Sequence, residues 1–264
     1  MGFVTLKLIM PNWYDYPQYF DLAFRDETQP EADFIEAACR RYAKRPVRRM
    51  LEPGCGSGRL VTELARRGYE LTGFDTNEKS LAFLRRRLAR AKLQADVFAA
   101  DMAEFRMPNR VDAAFNTFNT FRHLITEAAA ERHLRCVAES LERGGIFILG
   151  LHLLPPDASE ECIERWTARQ GSTKVTFTLR VVATDRRRRI ERLKVCLLAR
   201  TPRRELRLAT EFPLRMYTAA QIRRLLAKVP QFELCDVFDF NYEIGHPLKL
   251  NDELSDTVFV LRKR

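Results

Sequence analysis

Hydrophobic positions along the chain follow two different spacings, and segments of the two kinds alternate from residue 31 onward. Apolar residues every three to four positions predict helices, and short apolar runs predict buried strands. The helical segments are 31–44, 59–67, 77–91 and 126–143, and the strand segments are 47–52, 69–75, 95–101, 111–117 and 146–151. This alternation predicts a doubly wound α/β fold with a mostly parallel sheet.

A longer alternation of apolar and polar residues begins after Pro155-Pro156. It covers 173–184 and 190–198 on either side of a turn made by Asp185 and four arginines, and 204–212 fits a third strand. This pattern predicts an antiparallel β-meander inserted into the α/β fold. The main sheet is then completed by a helix over 217–228 and by strands over 232–239 and 257–261.

These elements divide the chain of 264 residues into four consecutive parts, a length that suffices for one large core with an elaboration. The predicted parts are an N-terminal helical lid (1–46), an α/β core (47–152), an inserted antiparallel region that covers the substrate (153–212) and a C-terminal completion of the core sheet (213–264).

Composition and charge narrow the class of protein. The chain is 46% hydrophobic and 30% charged, as in a soluble globular protein, and no apolar run approaches the ~20 residues that span a bilayer. Residues 4–10, interrupted by Lys7, lack the form of a signal peptide, and Leu6 does not suit a myristoylation signal at Met1-Gly2. We therefore expect a cytoplasmic protein with no membrane partner, as a monomer or a homodimer.

The net charge of +10 comes mostly from arginines in helices and in the turn over 186–189. Such a surface is compatible with nucleic acid or an anionic ligand, and ordinary solvated faces account for it equally. The six cysteines are scattered without a C-x-x-C pair or a nearby histidine at ligand spacing, so we expect reduced thiols and no metal site.

A glycine-rich turn follows the first predicted strand and opens a helix. It reads Glu52-Pro53-Gly54-Cys55-Gly56-Ser57-Gly58, a form in which bare backbone N–H groups cradle a ligand at the end of a strand. The dinucleotide-binding fingerprint requires a third glycine at position 59, which is Arg59 here. An acidic Glu52 beside the turn attracts a cation and repels a pyrophosphate. The turn therefore favours S-adenosylmethionine (SAM), which carries a cationic sulfonium.

Two further carboxylates end the next two predicted strands. Asp75 stands where a carboxylate accepts hydrogen bonds from ribose hydroxyls, and Asp101 with Met102 stands where adenine is bound. Thr76 and Asn116, at the ends of the second and fourth strands, complete the predicted cofactor contacts.

At these residues the chain resembles the class I SAM-dependent methyltransferases. The motifs are E-P-G-C-G-S-G, G-F-D and A-D-M, followed by F-N-T-F-N at the fourth strand. The resemblance covers most of the chain and implies a seven-stranded sheet of order 3-2-1-4-5-7-6, with strand seven antiparallel. It also implies that Glu52 and the glycine turn hold the amino acid tail, Asp75 the ribose, and Asp101 and Met102 the adenine.

The segment F-N-T-F-R-H-L, residues 118–124, looks like the F-x-S-x-x-H-L segment of sugar amino-group methyltransferases. In those enzymes the histidine lies near the acceptor amine, so His123 is the candidate base and Asn119 a candidate positioning group. A histidine bonded to the backbone at a helix start is the alternative. Arg122 departs from the small residue of that pattern.

Four residues are candidates for substrate binding. Related methyltransferases have a Tyr-Asp over the cofactor and acceptor near the N-terminus, where this chain has Phe20-Asp21, so Tyr14 or Tyr19 is the candidate hydroxyl. Arg215 and Tyr217, at the return to the core, are the other two, with surface or hinge roles as the alternative.

The sequence thus predicts a methyltransferase that moves the methyl group of SAM to an N or O atom of a small molecule by direct displacement. S-adenosylhomocysteine is the expected product, and no metal is needed. An RNA methyltransferase and a non-catalytic SAM-binding protein are the alternatives. The N-P-P-[YF] motif of enzymes that modify base amines is absent, since residues 116–119 read N-T-F-N.

Overall fold

Two sheets and six α-helices build the part of the chain that this computed structural model describes, residues 12–158 and 162–264. The segment 1–11, with the positions considered above for a signal peptide or acylation, lies outside the described residues. The helices are α1 (Pro17–Ala23), α2 (Thr28–Tyr42), α3 (Arg59–Arg66), α4 (Glu78–Ala91), α5 (Glu127–Ser140) and α6 (Ala219–Ala227). The strands are β1 (Arg49–Pro53), β2 (Glu70–Asp75), β3 (Asp96–Ala99), β4 (Val111–Asn116), β5 (Leu141–His152), β6 (Ile163–Gln170), β7 (Thr173–Asp185), β8 (Ile190–Arg200), β9 (Glu205–Arg215), β10 (Phe232–Phe238) and β11 (Asp256–Lys263).

The central sheet has the order β3-β2-β1-β4-β5-β11-β10. Strands β1 to β5 are parallel, and β11 runs antiparallel between β5 and β10. Every residue of β4 is buried, because helices cover both faces of a parallel sheet. The order 3-2-1-4-5-7-6 and the doubly wound fold are therefore confirmed.

Helix starts in the core agree with the predicted caps. Asn77 accepts a hydrogen bond from Ser80 N at 3.0 Å, and Thr126 accepts one from Ala129 N at 3.1 Å. Helix α5 ends at Ser140 rather than near residue 143, because Leu141 already pairs with Val111 in the sheet.

The inserted sheet has four antiparallel strands, in the order β6-β7-β8-β9, rather than the three predicted. The additional strand is β6, which lies at an edge and has few apolar residues in its pattern. One face of this sheet packs on the N-terminal segment, where Trp13, Leu22 and Phe24 form one cluster with apolar residues such as Phe177. The division of the chain into four parts stays a prediction.

Arg122 and Glu191 join the inserted sheet to the core. Both are buried and form an ion pair, and Arg122 Nε also donates to the carbonyl of Arg215 at 2.9 Å. Arg122 is therefore used for packing between the two sheets. In the described parts of the chain, no helix combines the length and the apolar character needed to cross a membrane.

Candidate active site

A cavity of about 720 Å³ opens at the carboxyl ends of β1 to β4. Parallel strands place their ends at one edge of a sheet, so residues far apart in sequence meet there. Eight of the ten predicted cofactor residues line this cavity: Glu52, Gly54, Cys55, Gly56, Asp75, Thr76, Asp101 and Met102.

The glycine turn and Asp75 are in direct contact. Gly56 N donates to one carboxylate oxygen of Asp75 at 2.8 Å, and Asn77 N donates to the other at 2.8 Å. Gly56 has φ +51°, a left-handed conformation that favours glycine, and a Cβ built there meets no atom within 4 Å. The turn therefore presents bare backbone to open space beside a carboxylate.

Two predicted cofactor residues support the turn from behind instead of lining the cavity. A Cβ at Gly58 would lie 2.2 Å from the side chain of Leu84, so this glycine allows α3 and α4 to pack closely. Asn116 is buried, and its amide donates to the carbonyl of Pro53 at 2.7 Å. In this structure both residues support the turn, and their assignment as cofactor contacts stays a prediction.

Glu52 and Arg59 bring a carboxyl group and a guanidinium group to the cavity wall. Glu52 is only 8% exposed, and its Oε2 has no hydrogen-bond partner in the described residues. Burial raises the pKa of Glu52 well above its usual range, although Arg59 acts in the opposite direction. Arg59 is 7% exposed, forms an ion pair with Glu31 and lies over the Phe118 ring at 5.5 Å. In the sequence, Arg59 stood out only as a missing glycine.

Tyr14 and His123 form a hydrogen-bonded pair on another part of the cavity wall. The Tyr14 hydroxyl lies 3.0 Å from His123 Nε2, which supports Tyr14 over Tyr19 as the hydroxyl at the site. Burial, and then the charge of Arg122, lowers the pKa of His123 to about 4. Burial, and then the charge of Asp75, raises the pKa of Tyr14 above its usual range. Both side chains are therefore uncharged at neutral pH.

The wall around this pair is largely apolar. Pro17, Phe20, Phe118, Leu124 and Ile125 line it. Among the described residues, none from β6 to β9 lines the cavity, and the inserted sheet approaches it through Phe212, whose ring lies 5.4 Å from that of His123.

Asn119 does not line the cavity. Its side chain accepts a hydrogen bond from His152 N at 2.7 Å. Phe118 and Asn119 both have left-handed φ, +60° and +65°, and the chain turns there into the short 3₁₀ helix that carries His123. Asn119 thus stabilises the turn, and its assignment as a positioning group stays a prediction.

Three substrate candidates also lie elsewhere. Tyr19 is buried and stacks on Tyr16, with 6.2 Å between ring centroids. Tyr217 is 1% exposed and belongs to the main core. Arg215 is buried, and its guanidinium donates to the carbonyl of Ile125 at 2.8 Å. None of these three described residues lines the cavity, and their assignment to substrate binding stays a prediction.

Comparison with known proteins agrees with this geometry. Residues 50–145 match a family model described as a methyltransferase domain. The match covers 96 of the 264 residues, so it is a similarity of this part of the chain. Over 140 residues it is 24% identical to a protein of Geobacillus sp. (strain WCH70) that is named a methyltransferase by inference, a match covering 53% of this chain and 55% of that protein. The chain thus spans about half the length of this curated relative.

Solved structures extend the fold similarity to nearly the whole chain. A SAM-dependent methyltransferase of Clostridium acetobutylicum has a TM-score of 0.78 at 16% identity, covering 96% of this chain and 99% of its own. The SAM-bound amino pentose methyltransferase CalS10 of Micromonospora echinaspora has 0.71 at 20% identity, with coverages of 97% and 98%. The sugar N-methyltransferase KedS8 of Streptoalloteichus has 0.75 at 18% identity, with coverages of 94% and 92%. The TM-scores show a shared fold, and at these identities the similarity shows the fold alone.

The range that matches the methyltransferase-domain model supplies only part of the cavity. The glycine turn, Asp75 and His123 lie inside the matched range, whereas Tyr14 and Phe20 come from the N-terminal segment before it. Across residues 12–158 and 162–264, no group of three or more His, Cys, Asp or Glu side chains is placed to hold a metal ion.

Proposed function

We propose that the chain is a SAM-dependent methyltransferase that methylates an N or O atom of a small molecule, most directly an amine. One observation carries the proposal. A bare glycine turn bonded to Asp75 and an uncharged Tyr14–His123 pair face the same cavity. The first feature suits a nucleoside cofactor, and the second suits a nucleophile that must be oriented beside it.

The residues of the cavity fit SAM. The unpartnered oxygen of Glu52 is a hydrogen-bond acceptor for the ammonium of the zwitterionic amino acid tail, and the guanidinium of Arg59 is a cation for its carboxylate. The Asp75 carboxylate suits the ribose hydroxyls, and Asp101 with Met102 suits the adenine. When bound, SAM supplies a methyl group made electrophilic by its sulfonium.

Tyr14 and His123 would orient the acceptor. The hydroxyl and the imidazole both hydrogen bond to an amine or a hydroxyl, and the surrounding apolar wall excludes water. A histidine with a pKa of about 4 is a weak base, so its main contribution is to hold a neutral nucleophile in line. An amine is favoured because a neutral amine is nucleophilic without prior loss of a proton, and the similar structures CalS10 and KedS8 are an amino pentose and a sugar N-methyltransferase.

Calorimetry with SAM and S-adenosylhomocysteine tests the cofactor, and methyl transfer from labelled SAM tests the acceptor. We expect both nucleosides to bind, and we expect transfer to amino sugars to exceed transfer to the same sugars with a hydroxyl in place of the amine. Folded protein that binds neither nucleoside would refute the proposal. Binding without transfer to any amine or hydroxyl acceptor would instead support the non-catalytic alternative.

Methylation of RNA is the less favoured activity, because Arg59 and Arg132 are the only arginine or lysine side chains among the described residues that line the cavity. A cytoplasmic location and the choice between monomer and homodimer stay predictions.

A further inference from the structure

Charge is divided between the two faces of the inserted sheet. In antiparallel strands successive side chains point to opposite faces, and pairing fixes which residues share a face. The inner face, with Trp166, Phe177, Val195 and Leu208, packs on the N-terminal segment. The outer face carries eight basic residues: Arg165 and Arg169 on β6, Lys174 and Arg180 on β7, Arg192, Lys194 and Arg200 on β8, and Arg207 on β9.

Carboxylates neutralise only part of this outer face. Glu205 pairs with Arg200 and Arg207, each at 2.6 Å, and Glu211 pairs with Lys194 at 3.0 Å. The other five cations form no side-chain hydrogen bond or ion pair in the described parts of the chain, although the charges of two of them, Arg180 and Arg192, also act on Glu211: Arg165, Arg169, Lys174, Arg180 and Arg192. Much of the net charge of +10 is thus concentrated on one face of the inserted sheet.

This surface points away from the cavity. The inner face of the same sheet contacts Trp13 and Phe24, and Phe118 of the cavity wall packs against that cluster. A ligand on the outer face is therefore separated from His123 by the thickness of the sheet and the N-terminal segment. Such a ligand is not the methyl acceptor.

We propose that the outer face docks the phosphate backbone of double-stranded nucleic acid, without sequence preference. Six of its eight cations are arginines, whose planar guanidinium groups bind phosphate oxygens in pairs. No aromatic ring lies on this face of strands β6 to β9, since Trp166, Phe177 and Phe212 belong to the inner cluster. Single-stranded nucleic acid is bound by stacking on such rings, so contacts here are to phosphates of a duplex.

Protection of a sheet edge and binding to a membrane both fit the charge less well. Charged residues on an edge strand discourage aggregation, which accounts for Arg165 and Arg169 but not for Lys174, Arg180 and Arg192 on interior strands. An anionic membrane surface is bound by cations beside a stripe of apolar side chains. The exposed large apolar side chains described in this sheet are Ile163 and Val182, both near one end, and they form no stripe.

The test is fluorescence anisotropy with a random DNA duplex of about 20 base pairs, at about 50 and 200 mM salt. Five phosphate contacts predict a roughly 500-fold loss of affinity between these conditions, from a slope of about −0.9 per contact. Replacing Arg165, Arg169 and Lys174 by glutamine should weaken binding about tenfold or more and reduce the slope by about three.

The matched control replaces Arg86, Arg90 and Lys249 by glutamine. These residues are exposed, lie on other surfaces, and give the same change in net charge. The control should retain most of the affinity, and both variants should bind S-adenosylhomocysteine as the wild type does. The proposal is overturned if both triple variants lose equal affinity, if the wild type does not bind the duplex, or if it binds phosphatidylserine vesicles in preference to the duplex. None of these results depends on the proposed methyltransferase activity.

Discussion

The two sheets of this molecule are built on different principles. In the central sheet every residue of β4 is buried, so no face is free and ligand groups gather where the parallel strands end. In the inserted sheet one face is apolar and the other carries eight cations, so we expect any ligand of this sheet to bind to a face. Single substitutions at the strand ends should therefore weaken cofactor binding or turnover. Substitutions of the same kind in the inserted sheet should change neither quantity.

The largest contrast is between two glycines. Gly56 in the central fold and Gly171 in the β6–β7 turn have φ of +51° and +54°, and a Cβ at either meets nothing within 4 Å. Valine costs about 1–3 kcal/mol of backbone strain at either position. Gly56→Val should also fill the cradle and weaken SAM binding about 10³-fold or more, roughly 4 kcal/mol. Gly171→Val should leave calorimetric affinity unchanged, and equal losses from both variants would mean that the turn is not a binding element.

Loss of the ion pair between the two sheets should have the next largest effect, which is on the free energy of unfolding. Arg122→Met leaves Glu191 as a buried, unpaired charge and should lower the free energy of unfolding by about 3–5 kcal/mol. The double variant Arg122→Met/Glu191→Leu should recover most of this loss in urea unfolding. The exposed outer-face pair Arg200–Glu205 is the control, and Arg200→Met should cost less than about 1 kcal/mol. A double variant no more stable than the single one would contradict the burial argument.

Substitution of Tyr14 or His123 should affect turnover more than cofactor binding. Tyr14→Phe and His123→Asn should each lower kcat about 10²-fold, because the nucleophile loses its alignment. The Kd of S-adenosylhomocysteine should stay within about threefold of the wild-type value, since neither residue belongs to the glycine turn. Tyr16→Phe, a neighbouring tyrosine outside the cavity lining, should change neither quantity. If kcat survives both changes, the acceptor binds elsewhere.

The fold was more predictable than the site, for a physical reason. Buried parallel strands, the caps Asn77 and Thr126 and the glycine turn are local patterns, and the cofactor residues follow because strand ends share an edge. Strand β6 escaped prediction because Trp166 and Ala168 are its main inward apolar residues. The roles of Tyr19, Arg215 and Tyr217 depend on how distant elements pack, which no sequence spacing records.

A smaller effect, on the pH dependence of stability, is expected in the core beside Met102, one of the proposed adenine contacts. His133 is fully buried, and its Nδ1 lies 2.8 Å from the carbonyl of Met102. Burial lowers the pKa of His133 from 6.5 to about 4. Between these pH values the imidazole is therefore protonated in the unfolded chain and neutral in the native protein. Stability is therefore lost as pH falls from 6.5 towards 4, by about 1 kcal/mol between pH 7 and 5.5.

His133→Asn keeps a donor for the Met102 carbonyl and removes this titration. In urea unfolding at pH 7 and 5.5, the variant should show a pH-dependent loss about 1 kcal/mol smaller than that of the wild type. An identical loss in the two proteins would show that His133 is protonated equally in the folded and unfolded states.

If one cavity holds SAM between the glycine turn and Asp75, calorimetry of Asp75→Ala with S-adenosylhomocysteine is the decisive experiment. Asp239→Ala is the control, because both carboxylates accept a hydrogen bond from the backbone N–H two residues later, at 2.8 Å and 2.9 Å, but only Asp75 lines the cavity. We predict about 10- to 100-fold weaker binding for Asp75→Ala, the loss of one or two charge-assisted hydrogen bonds, and wild-type binding for Asp239→Ala. Equal affinities in the two variants would rule out this mode of cofactor binding.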